Sequence, residues 1–184
     1  MSFERHLISE SEITEGYFYA LPHEEVMMHR QIDSVKNQRS TLAGNISEAM
    51  EQSSETWHDN APADALFGEM RVLDLHGTKL AVAKRNLVIV HYPEPDFNLV
   101  TIGSRVGCLM LGDEFQMDIT GNLPITLDPG EDIEAGSIDA PMPRALLGAA
   151  LNSTVGVTIN KKEFEVSVIS LDQTAQFNHY SGHI

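Results

Sequence analysis

The chain is poor in the residues that most often announce a chemistry. One cysteine, Cys108, among 184 residues excludes an internal disulfide and any cysteine-rich zinc site. Beside Leu109 and Met110 it reads as a small buried hydrophobe. Basic residues are scarce: 12 Lys and Arg stand against 27 Asp and Glu, a formal net charge of −15. The deficit is even. Residues 1–96 hold 16 acids and 8 bases, and residues 97–184 hold 11 and 4. No half is a concealed basic domain, so direct gripping of nucleic acid or of an anionic membrane is disfavoured. Solubility accounts for most of the charge; a protein partner or a metal handled by carboxylates are the other uses open to it. No apolar run approaches the ~20 residues of a membrane span. The first residues, Met1 to His6, have neither a basic nor an apolar region of the kind a signal peptide carries, so a cytoplasmic protein is expected. Glycine-rich phosphate loops, HExxH and GxSxG are missing. The eight histidines are scattered; His179 and His183 lie four apart but lack a third ligand.

What is present divides at residues 92–96, Tyr-Pro-Glu-Pro-Asp, a proline-punctuated linker. Before it, residues 22–90 read mainly as helix. Pro22 suits a first helical position, and Glu24 and Glu25 suit the first turn. Met28, Ile32, Val35, Arg39, Leu42, Ile46 and Ala49 form a heptad seam with one polar interruption, Arg39. Ala63, Leu66, Met70, Leu73, Gly77 and Leu80 form a second. Gly77 either weakens its helix by ~1 kcal/mol or admits a close approach of the partner helix. Polar residues 52–60 and Pro62 separate the seams, which predicts an antiparallel coiled-coil hairpin with its tip near 53–60. Leu87 to Val90 is a short β-rich run.

After the linker, strand-like runs recur at 99–102, 105–111, 114–119, 125–127, 155–159 and 163–169. Turn residues separate them, and one short helix opens at Pro143. The fold class is α+β: a helical hairpin over 22–92, then a small antiparallel β domain with one short helix over 97–172. Residues 1–21 are an N-terminal segment without assigned structure, and 173–184 a tail without period.

The hairpin tip is the chemically interesting place. Glu55 and Asp59 sit at the end of a rod, where little desolvates or neutralises them. Paired carboxylates suit Mg²⁺, which prefers oxygen ligands and keeps several waters. A rod tip lacks a pocket, so such acids make sense if the rod enters the cavity of another protein. The plainer alternative is that Asp59 caps the second helix and Glu55 is a solvated charge.

A hairpin with an acidic tip followed by a small FK506-binding-protein-like domain resembles the Gre transcript-cleavage factors of bacterial RNA polymerase. The resemblance runs from about Glu24 to Leu171. Its most specific part is Ala140-Pro141-Met142-Pro143-Arg144-Ala145-Leu146-Leu147-Gly148, similar to the family's Ser-Pro-Leu-Gly-Arg-Ala-Leu-Leu-Gly with Ala140 in place of Ser and Pro143 in place of a small residue. At the tip, Asp59-Asn60-Ala61 is similar to Glu-Asn-Ala, and Ile46-Ser47-Glu48-Ala49 to Ile-x-Glu-Ala. The resemblance implies an accessory factor, not itself an enzyme. Its β domain docks on the rim of the polymerase secondary channel, through Asp139, Pro141, Met142, Pro143 and Arg144. The hairpin passes down the channel. Asp59 and Glu55, with Thr56, Trp57, His58 and Asn60 as neighbours, help hold a Mg²⁺ shared with the polymerase. The polymerase then hydrolyses a backtracked transcript. RNA is reached only through the polymerase, no membrane is involved, and a monomer is expected. The family's basic hairpin contacts to RNA would fall to Arg30, Lys36, Arg39 and Arg71.

Departures from the family pattern define a second reading. The stretch from Ile46 to Asn60 is two residues longer than usual, and Thr56 stands where the family has its other tip acid. Glu55 lies one residue further back. A channel binder that regulates the polymerase without stimulating cleavage fits these departures. A third reading, a free-standing prolyl isomerase or protein-binding domain, needs an aromatic-lined cleft. The C-terminal half offers only Phe97, Phe115, Phe164, Phe177 and Tyr180.

Overall fold

The computed structural model describes residues 3–5, 10–53, 61–91, 98–125 and 133–173. Helix α1 spans Pro22–Ser53 and helix α2 spans Ala61–Arg85. Proline opens α1, acids occupy its first turn, and Lys84 and Arg85 close α2, all in the sense the helix dipole favours. At 1.5 Å per residue α1 is about 48 Å long and α2 about 38 Å. The two heptad seams meet. Met28, Ile46, Ala63 and Leu80 are buried, and the other apolar seam positions are half-buried. The polar interruption is resolved across the hairpin, where Arg39 Nε donates to Asp74 Oδ1 at 2.9 Å. At Gly77 a β-carbon would stand 3.3 Å from Val35 Cγ1, so the glycine serves a close helix approach.

The N-terminal segment is structured, and the hydrophobic pattern of so short a stretch did not reveal it. Strand β1 (Phe3–Arg5) and strand β2 (Phe18–Ala20) flank strand β3 (Leu87–Val90), all three parallel. A 3-10 turn at Glu10–Glu12 lies between β1 and β2. All four β3 residues are buried, and its side chains alternate between two cores. Val88 and Val90 join the core of the β domain, while Leu87 and Ile89 pack with Met28, Leu80 and Ala83 at the base of the hairpin. Tyr19 and Ala20 on β2 divide the same way. This small sheet is therefore the layer between rod and domain.

The β domain comprises β4 (Ser104–Met110), β5 (Asp113–Thr120), β6 (Ile133–Ser137), β7 (Thr154–Ile159) and β8 (Lys162–Gln173), in spatial order β6-β5-β4-β8-β7. It is antiparallel except at one edge, where β6 runs parallel to β5. Leu111 and Gly112 join β4 to β5, and Asn160 and Lys161 join β7 to β8, all with positive φ, as tight hairpin turns require. Helix α3 (Pro141–Leu146) covers the core with Leu146, and Gly148 follows its C-cap at φ 81°.

Three sequence expectations need correction. Residues 100–102 are buried and Leu99 half-buried, but the stretch forms only an isolated bridge, Leu99 to Ala150. Their backbone bonds go to the loop after α3 and to Ser104 Oγ. Ile125 lies in a bend rather than a strand, and 126–127 fall outside the described residues. Helix α3 begins at Pro141, two residues before Pro143, because two prolines fit within a first turn that has no intrahelical N–H bonds to lose. Strand β6, which was not foreseen, carries the weak pattern Ile-Glu-Ala-Gly-Ser and relies on pairing with β5.

Candidate functional site

The rod ends where α1 stops at Ser53 and α2 resumes at Ala61. Ala63 is buried two residues into α2, while the last buried residue of α1, Ile46, lies seven residues before its end. Glu55, Thr56, Trp57, His58, Asp59 and Asn60 all belong to that segment and lie outside the described residues. Among the described residues, no group of three or more His, Cys, Asp or Glu side chains is placed to hold a metal ion. No described helix is long and apolar enough to cross a membrane.

The loop expected to dock on a partner is largely built into the domain. Pro143 is buried, and a β-carbon on Gly136 of β6 would stand 2.8 Å from its Cγ. Met142 packs partly against the core. Arg144 Nε donates to Glu10 Oε1 at 2.8 Å, tying α3 to the N-terminal segment. Asp139 is exposed and accepts from Asn122 Nδ2 at 3.2 Å. Pro141 is exposed at the start of α3. An exposed edge remains at Asp139, Pro141 and the partly exposed Arg144.

Of the basic residues expected on the rod, Lys36 pairs with Asp33 at 3.0 Å and Arg39 with Asp74. Arg30 and Arg71 are exposed and make no ion pair among the described residues. Cys108 is fully buried and its thiol is pushed up to about 11 by burial, so it stays protonated and chemically quiet.

The direction of the rod is set by a junction at Glu24. Its sequence position, in the first turn of a helix, suggests only a favourable dipole. In the structure its carboxylate is buried. Oε2 accepts from the Leu21 N–H at 2.8 Å, half of a capping box. Oε1 accepts from the Gly121 N–H at 3.1 Å, reaching from the rod into the β domain. Burial raises its pKa from 4.5 to about 7, against the two backbone N–H groups, which lower it. A β-carbon on Gly121 would collide with the Tyr19 carbonyl oxygen and stand 2.8 Å from Glu24 Oε2, so only glycine fits. Next to it, Asn122 continues the contact as a mimic of a strand. Its Oδ1 accepts from Tyr19 N at 2.7 Å, and its N–H donates to Tyr19 O at 3.1 Å. A Gly-Asn turn after a strand was visible in the sequence; its role in holding the helical hairpin was not.

No protein-family model matches the chain. A curated transcription elongation factor GreA from Lachnoclostridium phytofermentans is 26% identical over 140 residues, which cover 75% of this chain and 84% of that protein. Among solved structures, GreA factor homolog 1 of Thermus thermophilus aligns over 93% of this chain and 99% of its own, at 16% identity and a TM-score of 0.35. The Thermus aquaticus homolog aligns over 85% and 98%, at 16% identity and a TM-score of 0.40. A GreA/GreB factor from Nitrosomonas europaea aligns over 72% and 95%, at 19% identity and a TM-score of 0.34.

Proposed function

We propose that this chain, which belongs to the Gre family of transcription elongation factors, binds RNA polymerase and stimulates cleavage of backtracked transcripts. The β domain sits at the channel rim, with Asp139, Pro141 and Arg144 on the docking edge. The hairpin enters the channel and presents Asp59 and Glu55 at the polymerase active site. The observation that carries this reading is the rod itself. Two helices of 32 and 25 residues extend from a three-stranded base and are joined by a seven-residue segment holding two acids. Such a shape supplies carboxylates to another protein's cavity and has little other use for them. The chain acts as an accessory factor and the polymerase performs the hydrolysis.

The donor set fits a shared Mg²⁺: two carboxylates four residues apart in sequence, between the two helices, offer hard oxygen ligands. That ion, when bound, activates water and stabilises the charge of phosphodiester hydrolysis. The chain's own part is to deliver and orient the two side chains. The net charge of −15 agrees with RNA being reached through the polymerase and not gripped directly.

The experiment is addition of the protein to polymerase halted on a backtracked transcript. Faster release of the 3′ fragment is expected, and Asp59→Ala removes the stimulation while leaving polymerase binding intact. Thr56, in place of the family's other tip acid, favours one alternative: a channel binder that slows nucleotide addition and does not stimulate cleavage. Slowed synthesis that is insensitive to Asp59→Ala would select it.

A further inference from the structure

The exposed side of α2 carries a second heptad seam, whose Gly68 and Val72 also border an open groove shared with Asn37, Thr41 and Leu42 of α1. Ala65, Gly68, Val72, Leu75, Lys79 and Val82 step by 3, 4, 3, 4, 3, as the inner seam does. They are displaced from it by two residues, about 200° around the helix. Five of the six are exposed and Val82 is half-buried. Val72 is 70% and Leu75 59% exposed, among the largest apolar exposures in the described chain. A regular apolar stripe on a helix whose other face is already packed fits a further helix, because only a helix follows a heptad over this length.

We infer that the further helix is α2 of a second copy of this chain, packed antiparallel about a two-fold axis between Val72 and Leu75. The charges argue for this occupant. One flank of the seam carries Asp64, Arg71, Thr78 and Arg85 at successive heptad positions, and the other carries Glu69 and His76. Antiparallel pairing sets Val72 on Leu75, Ala65 on Val82, and Gly68 under the apolar stem of Lys79. It brings Asp64 to Arg85 of the second copy and Glu69 to His76. Parallel pairing would instead set Lys79 on Lys79 and bring Asp64 beside Glu69 of the second copy. Asp64, Glu69, Lys79 and Arg85 are exposed and make no ion pair among the described residues, so all are available. A β-carbon on Gly68 would meet nothing within 4 Å, so its face is open to the lysine. The interface is the same patch on both copies, as a two-fold dimer requires.

Self-pairing of this kind is the alternative to the expected monomer. A rod covered by a second rod is thicker than one alone, so on the function proposed above the paired state and the channel-inserted state compete. The test does not depend on that function. Sedimentation of the full chain over rising concentration is expected to take the mass from 20.3 kDa towards twice that value. Val72→Asp with Leu75→Asp, on an exposed face that the fold does not use, holds it at the monomer mass with unchanged helical circular dichroism. Asp64→Arg weakens association several-fold, and adding Arg85→Asp restores it. Asp64→Cys with Arg85→Cys gives a crosslink between chains under oxidation, since within one helix these positions are about 32 Å apart. A monomer mass at every concentration overturns the inference. So does a dimer indifferent to Val72→Asp with Leu75→Asp, and so does a crosslinking pattern in which Asp64→Cys alone reacts as well as the pair.

Discussion

At its base the hairpin is clamped from several sides; along its far half it is held only by a seam. Met28, Leu80 and Ala83 are fully buried against the three-stranded sheet, Glu24 ties the first turn of α1 to the β domain, and Asn122 ties β2 to it. Beyond Arg39, Ile46 and Ala63 are buried in the seam, and Met50, Phe67, Val72 and Leu75 lie 42–70% exposed. The difference teaches what each half is for. The base converts burial into a fixed direction, so that the rod points where the domain aims it. The far half spends little of its surface on the fold, which leaves that surface for a partner.

The largest expected effects test the clamp. Leu80→Ala removes a fully buried side chain from the base and is expected to cost about 2–5 kcal/mol of unfolding free energy, while Leu42→Ala in the half-buried seam costs roughly 1 kcal/mol. Denaturant unfolding checks both; equal losses would erase the contrast between the two halves.

Next comes the pH dependence of Glu24. Below about pH 4.5 its carboxyl is protonated in the folded and the unfolded chain alike, and the burial has no ionisation cost. As pH rises the unfolded chain loses its proton first, so stability falls until the folded group also ionises near pH 7. At 1.36 kcal/mol per pKa unit the loss over this window is about 3 kcal/mol. Glu24→Gln keeps a carbonyl acceptor for the Leu21 or Gly121 N–H and is expected to remove this contribution. Chemical denaturation of both proteins at several pH values measures it; a parallel decline in both would assign the pH dependence elsewhere.

Gly121→Ala forces a methyl group against the Tyr19 carbonyl and is expected to cost about 1–3 kcal/mol, as overpacking does. The readout that separates a junction from ordinary packing is hydrogen exchange. The amides of β2 and the first turn of α1 lose protection, and those of β7 and β8 keep it. The smallest effect belongs to the middle of the rod. Arg39→Ala breaks an exposed ion pair and is expected to shift stability by less than about 1 kcal/mol.

The rod was legible because heptad spacing is a strong and long signal: every apolar position named on the two seams is buried or half-buried. The central antiparallel strands were legible from β-rich runs closed by turns such as Asn160-Lys161. Strands β1 and β2 were not, because three residues hold no period and their stability comes from β3, far away in sequence. Strand β6 escaped for the same reason. Glu24 was seen as a charge for the dipole and proved to be a buried bridge, since its partner Gly121 lies 97 residues on. Arg144 was expected among the residues that dock a partner, and it already holds Glu10. The acids of the tip were legible only as residue types at the end of a rod, and their geometry lies outside the described residues.

The most direct measurement of the central claim is the rate of transcript cleavage on a backtracked polymerase complex, with the wild-type chain and the Asp59→Ala variant compared at equal bound fraction. Acceleration by the wild type and none by the variant is the predicted result. Equal rates with and without the bound wild-type chain would contradict it.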